Sequence, residues 1–218
     1  SLDNLPIGLD GLTYQWIDLN GDGLAGVLTE QANAWYYKPN LGMGKLGHLY
    51  RVDTLPSLTN LSGGHQHLID LAGDGLIDLV QFDGQPAGFF ERTADEEWGN
   101  FVPFTSLPNV DWNSPNLQLI DLTGDGLADL LITEDDVFTW YPSLAEDGFS
   151  PARRLSQPFD EERGPHLILA DGTQTIFLAD MSGDGLTDLV RIRNGEVCYW
   201  PNMGYGRFGA KVTMSHAP

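Results

Sequence analysis

The chain has 218 residues, 41% of them hydrophobic and 11% aromatic, with 31 acidic against 11 basic side chains and a formal net charge of −20. That surplus of negative charge repels phosphate backbones and anionic lipid surfaces, which argues against nucleic-acid binding and against direct membrane insertion. No apolar run approaches membrane-spanning length, and the single Cys198 has no partner for an internal disulfide, so on an apolar strand it reads as a small core residue.

Four cassettes follow one another along the chain. The first predicts a strand over residues 12–19, the acidic turn DLNGDGLAG from Asp18, the aromatic run Ala34-Trp35-Tyr36-Tyr37, and a last short strand at 49–52. The second has an apolar run at 67–71, the turn DLAGDGLID from Asp70, a run at 76–82, then Gly88-Phe89-Phe90 and a final strand at 101–104. The third places a run at 117–122 before DLTGDGLAD from Asp121, then 127–133 and Phe138-Thr139-Trp140-Tyr141. The fourth runs through 175–181, DMSGDGLTD from Asp180, 186–192, Val197-Cys198-Tyr199-Trp200 and 208–212. Self-similarity at a period of about fifty residues means one supersecondary unit laid down repeatedly.

Runs of four to eight residues bounded by Gly, Pro, Asn and Asp are strands, too short for the amphipathic helices of an α-solenoid. Pro39, Pro142 and Pro201 fall just after the aromatic strand, where no ladder donor is needed. Four antiparallel strands per unit, apolar on both faces, predict an all-β chain of four-stranded β-propeller blades with almost no helix. The blades are expected at about 10–57, 63–108, 113–158 and 164–214 of a single propeller region spanning 1–218, and we expect them to form an arc of a larger propeller rather than a closed ring of four.

The acidic turns have the outline of calcium loops, which place oxygen ligands at alternate positions and a glycine at the sixth. The first and fifth positions are Asp18 and Asp22, Asp70 and Asp74, Asp121 and Asp125, and Asp180 and Asp184. The third is Asn20, Ala72, Thr123 and Ser182; the ninth is Gly26, Asp78, Asp129 and Asp188. No copy has a full set of strong ligands. The competing reading is a metal-free turn in which the first aspartate closes an Asx turn, the fifth caps nearby amides and glycine supplies positive φ. No cofactor is required; calcium is the one candidate.

Nothing in the chain assembles a catalytic set. There is no GxSxG elbow, Cys/His nucleophile pair or phosphate loop, and the paired carboxylates recur four times, whereas an acid/base site occurs once. His65 and His67 share a strand face without zinc-site companions. The acidic clusters Asp95-Glu96-Glu97, Glu134-Asp135-Asp136 and Asp160-Glu161-Glu162 read as solvated loops. A non-enzymatic scaffold is the expectation.

The repeated turn, the aromatic strand and Arg207-Phe208-Gly209-Ala210-Lys211 resemble the FG-GAP or VCBS type of propeller repeat, shared by integrin α chains and many bacterial secreted proteins. More narrowly, DLNGDGLAGVLTEQANAWYYKPNLG (18–42) and VCYWPNMGYGRFG (197–209) are similar to the middle region of the B component of bacterial insecticidal toxin complexes, the Tc toxins; plasmid virulence proteins of the Salmonella type share some of it. The resemblance covers essentially the whole chain. It implies a secreted scaffold and gate: a B-component propeller that joins the C component around an unfolded cytotoxic cargo and docks on the pore-forming A component. The first strand of each blade would then line an axial channel, making Tyr14, Gln15, Trp16, His65, Gln66, His67, Asn116, Leu117, Gln118, Thr175, Ile176 and Phe177 the channel-lining candidates. The alternative is a free-standing adhesin or lectin-like propeller, calcium-assisted, with Trp35-Tyr36, Trp140-Tyr141 and Tyr199-Trp200 as sugar platforms.

Overall fold

The computed structural model describes residues 14–57, 61 and 66–215. His65 and the first residues of the opening strand lie outside the described residues. The chain divides into two compact units, Ser1–Phe104 and Thr105–Pro218. Each holds two four-stranded antiparallel sheets of the β-propeller blade type.

In the first unit, β1 (Tyr14–Ile17), β2 (Gly26–Gln31), β3 (Ala34–Lys38) and β4 (Tyr50–Arg51) form one sheet in chain order. The other is β5 (Gln66–Ile69), β6 (Asp78–Gln81), β7 (Gly88–Arg92) and β8 (Trp98–Pro103). In the second unit the sheets are β9 (Leu117–Ile120), β10 (Asp129–Glu134), β11 (Val137–Tyr141), β12 (Arg153–Ser156), and β13 (Thr175–Ala179), β14 (Asp188–Arg193), β15 (Glu196–Trp200), β16 (Val212–Thr213). The helical residues among those described are Leu61 and the 3-10 turn Ala145–Asp147.

Local chemistry sets the hairpins. Gln31 pairs with Ala34 across Ala32-Asn33, and Arg193 with Glu196 across Asn194-Gly195, and all four turn residues have positive φ. That is the two-residue turn whose twist matches antiparallel strands. Pro39, Pro142 and Pro201 each follow directly on the third strand. The last strand of the fourth sheet lies at Val212–Thr213, later than the expected 208–212. Phe208 instead bridges Asn202 and sets its ring 6.0 Å from Phe138 of the neighbouring sheet, so apolar contact between sheets claims it before the ladder does.

Sheet faces meet within each unit. In the first, Leu28, Trp35 and Tyr37 of one sheet pack with Leu79 and Phe90 of the next. In the second, Leu131, Phe138 and Trp140 pack with Leu189, Cys198 and Trp200. The second strand of each sheet is apolar on both faces, as Val27-Leu28, Leu79-Val80, Leu130-Leu131 and Leu189-Val190 are all buried. Strict alternation would have left one face wet. Cys198 is fully enclosed, and burial pushes its thiol above the ordinary range, the behaviour of a core residue.

Candidate functional site

The four acidic turns share one wiring. The first aspartate curls over the turn and accepts its amides. Asp70 takes Gly73, Asp74 and Gly75 at 2.7, 3.1 and 2.9 Å. Asp180 takes Gly183, Asp184 and Gly185 at 2.7, 3.2 and 3.0 Å. Asp121 takes Gly124 and Gly126, and Asp18 takes Asp22 and Gly23. The fifth-position carboxylate accepts the amide two residues on, Asp22 from Leu24, Asp74 from Leu76, Asp125 from Leu127 and Asp184 from Leu186. Gly23, Gly75, Gly126 and Gly185 sit at φ of +82°, +86°, +85° and +88°, where a side chain would be strained. Amide bonds hold the Asp180 carboxyl below the usual carboxylate range, the Gly185 amide foremost.

The ninth-position aspartates are buried. Asp129 accepts the amides of Leu122 and Thr123 on Oδ2 and of Ser143 on Oδ1, at 3.0, 3.1 and 2.7 Å. Asp188 repeats this with Met181, Ser182 and Asn202, and Asp78 with Leu71 and Arg92. Each carboxylate therefore clamps the end of the first strand to the exit of the third. Burial, working against the amide bonds, raises Asp78 and Asp129 from 3.8 to about 6.

The first sheet replaces the clamp. Gly26 stands where the other cassettes have aspartate, and the Tyr37 hydroxyl fills the space, accepting from the Leu19 amide at 3.3 Å and donating to the Ile17 carbonyl at 3.1 Å. A Cβ at Gly26 would collide with that hydroxyl and come within 2.5 Å of the Lys38 carbonyl oxygen. Gly26 and the Tyr37 hydroxyl thus act together as the first sheet's substitute for the aspartate.

This wiring bears on metal. The carboxylates of Asp18, Asp22, Asp70, Asp74, Asp78, Asp121, Asp125, Asp129, Asp180, Asp184 and Asp188 are turned onto backbone amides. Among the third-position side chains, Asn20 accepts from the Tyr50 hydroxyl, Thr123 donates to Asp121 and Ser182 hydrogen-bonds Asp180. No group of three or more His, Cys, Asp or Glu side chains suited to a metal occurs among the described residues.

The first strands are edge strands of their sheets. Pairing aligns Gln15, His67, Gln118 and Phe177 at one register position, opposite Leu28, Val80, Leu131 and Val190. Three of these, His67, Gln118 and Phe177, are exposed, and Gln15 is half-buried. Their neighbours Tyr14, Leu117 and Ile176 are half-buried and Gln66 is buried; Trp16 and Thr175 are exposed, and Asn116 precedes β9 and accepts the Ala170 amide. The aromatic pairs divide likewise: Trp35, Trp140 and Trp200 are enclosed in cores, which removes them as open sugar platforms.

Two arginines escaped the sequence reading. Arg191, 1% exposed, lies 4.9 Å from the centre of the Trp200 ring and makes a two-pronged bond to Glu161 at 2.9 and 2.8 Å. Glu161 thus belongs to a structural ion pair rather than to a solvated loop, and the Arg191 bond holds its carboxyl below the usual range. Arg92 is buried as well, over Trp98. An arginine inside an apolar run was the available signal.

No protein-family model matches the chain, and no curated protein is similar to it in sequence. Among solved structures, it is similar to a chain of the Photorhabdus luminescens Tc holotoxin pore carrying the mutation TccC3-D651A, with 30% identity over 93% of this chain and a TM-score of 0.73. A lectin of Agrocybe aegerita that recognises non-reducing terminal N-acetylglucosamine matches at 16% identity over 92% of this chain and 65% of its own, with a TM-score of 0.51, a likeness of fold alone. The TcdB2-TccC3 structure without its hypervariable C-terminal region matches at 20% identity over 93% of this chain and 12% of its own, with a TM-score of 0.49. Fold and turns together define an all-β chain of propeller blades. More particularly, the chain is similar along nearly its whole length to a Tc toxin chain, of which it spans 9%.

Proposed function

We propose that this chain is propeller from the B component of a secreted Tc-type insecticidal toxin complex, with repeats of the FG-GAP or VCBS type forming part of a single propeller region over 1–218. The observation that carries the reading is the 30% identity and TM-score of 0.73 over 93% of the chain against a Tc holotoxin pore chain. In this reading the propeller is a scaffold and gate. It docks on the pore-forming A component, and the unfolded cytotoxic segment held with the C component passes through it. The carboxylates are committed to amides within the turns, which supports a structural rather than catalytic use of them. Among the described residues no helix is long and apolar enough to cross a membrane.

In this proposal each first strand offers one edge position to the passage, Gln15 and His67 in the first unit and Gln118 and Phe177 in the second, and the side chains of His67, Gln118 and Phe177 are exposed there. The test is binding. The chain, alone and within any longer polypeptide that contains it, is passed over an immobilised Tc A component beside an unrelated propeller. Selective retention supports the docking role. Loss of both forms in the flow-through, while an established B component is retained, overturns it.

A further inference from the structure

The chain contains two buried arginines stacked on tryptophan, and they differ in one respect. Arg191 has its carboxylate, Glu161, in two-pronged contact. Arg92 is only 3% exposed, its guanidinium carbon lies 5.2 Å from the Trp98 ring centre, and its Nη1 has no hydrogen-bond partner. No ion pair to Arg92 occurs among the described residues. A buried guanidinium without a carboxylate is costly, and burial pushes its pKa below the ordinary range. Its backbone role does not require arginine. The Arg92 amide donates to Asp78 as the amides of Ser143 and Asn202 donate to Asp129 and Asp188, so serine or asparagine serves at the matching position.

Arg92 lines a cavity of about 210 Å³ together with Leu19, Tyr50, Arg51 and Thr54 and the exposed residues Asp53, Asp95, Glu96 and Glu97. The walls are held in place. The Thr54 hydroxyl donates to the Glu96 carbonyl at 2.9 Å, the Trp98 indole N–H donates to the Thr54 carbonyl at 3.2 Å, and the Tyr50 hydroxyl donates to Asn20 at 3.2 Å. A plain anion would meet the Arg92 fork but also four carboxylates; a plain cation would meet the carboxylates but also the buried arginine. A small molecule carrying both charges satisfies both.

We propose that this cavity is a binding site for a small zwitterion of the amino-acid type, its carboxylate on the Arg92 fork and its ammonium among Asp53, Asp95, Glu96 and Glu97. The volume limits the occupant to a compact molecule, and the internal model for the deep end is the Arg191–Glu161 pair.

The experiment titrates the full 218-residue chain with glycine, L-alanine, acetate and methylammonium, following the Trp98 indole N–H resonance. Glycine or alanine should give a saturable shift at a concentration lower than acetate or methylammonium requires by about tenfold. Arg92→Met should abolish it, and the exposed-rim change Glu96→Gln with Asp95→Asn should weaken the zwitterions several-fold while leaving acetate no weaker. No saturable shift with either amino acid overturns the proposal. So does acetate binding as tightly as glycine, which would mark a simple anion site. Where Arg92→Met fails to fold, the rim variant decides: unchanged zwitterion affinity overturns the proposal.

Discussion

Asp129 offers the sharpest test of the clamp. Replacing it by alanine strips the acceptor from three amides, those of Leu122, Thr123 and Ser143. At about 1–3 kcal/mol for each unpaired donor the gross loss is about 6 kcal/mol. Against it stands relief from burying a charge. Asp129 is fully enclosed, and burial raises its pKa from 3.8 to about 6, so the ionised form carries a penalty of about 3 kcal/mol relative to the unfolded chain. The net expectation at neutral pH is a loss of about 3 kcal/mol. The sign of the pH dependence follows from the direction of the shift. A folded-state pKa above the unfolded one means that the native protein takes the proton first, so the stabilisation is fully present below pH 3.8 and is lost as pH rises through about 6. The variant lacks this gain, and the gap between the two proteins should widen by up to about 3 kcal/mol on acidification from pH 7 to pH 4. Repulsion from the net charge of −20 eases with acid in both proteins and cancels in the difference. The assay is urea unfolding followed by tryptophan fluorescence at a series of pH values. A gap that stays constant or narrows on acidification refutes the reasoning, as does a neutral-pH loss below about 0.5 kcal/mol.

Other outcomes follow from the same geometry. Tyr37→Phe leaves the Leu19 amide and the Ile17 carbonyl without the bridging hydroxyl and should cost about 1–3 kcal/mol in denaturant unfolding. Gly26→Ala, driven into Tyr37 and the Lys38 carbonyl, should cost a comparable amount of about 1–3 kcal/mol by overpacking. Glu161→Gln removes the two-pronged carboxylate from the buried Arg191, leaving it only Glu196 at 3.6 Å, and should cost about 3 kcal/mol. Because its folded pKa is depressed, the contribution of Glu161 is present above the ordinary carboxylate range and is lost as pH falls through the lowered value, opposite in sign to Asp129. Saturating calcium and excess chelator should give the same melting temperature, since calcium would have to displace the turn's own amides from the carboxylates; a calcium-dependent rise of several degrees would refute the amide wiring.

Much of the acidic turn was legible because its determinants are local. Asp70 and Gly75 are five residues apart, and the bond between them is the turn itself. The function of the ninth-position aspartate was not, since its reach from Asp129 to Ser143 or from Asp188 to Asn202 spans a whole hairpin. From spacing alone a carboxylate there reads equally as a calcium ligand. Gly26 likewise looks like a missing ligand until Tyr37 is seen in the gap.

The linear order of residues determined that short strands repeat, that glycine ends each turn in positive φ and that tryptophans such as Trp35, Trp140 and Trp200 go inside, because these outcomes depend on backbone conformation and on transfer of apolar surface from water. Tertiary structure alone decided which charges meet. Arg191 finds Glu161 thirty residues away, whereas Arg92 has no ion pair among the described residues, although four carboxylates line the cavity beside it. Pairing of buried charge depends on distances of a few ångströms between sheets that lie far apart in the chain, and no local pattern encodes those distances.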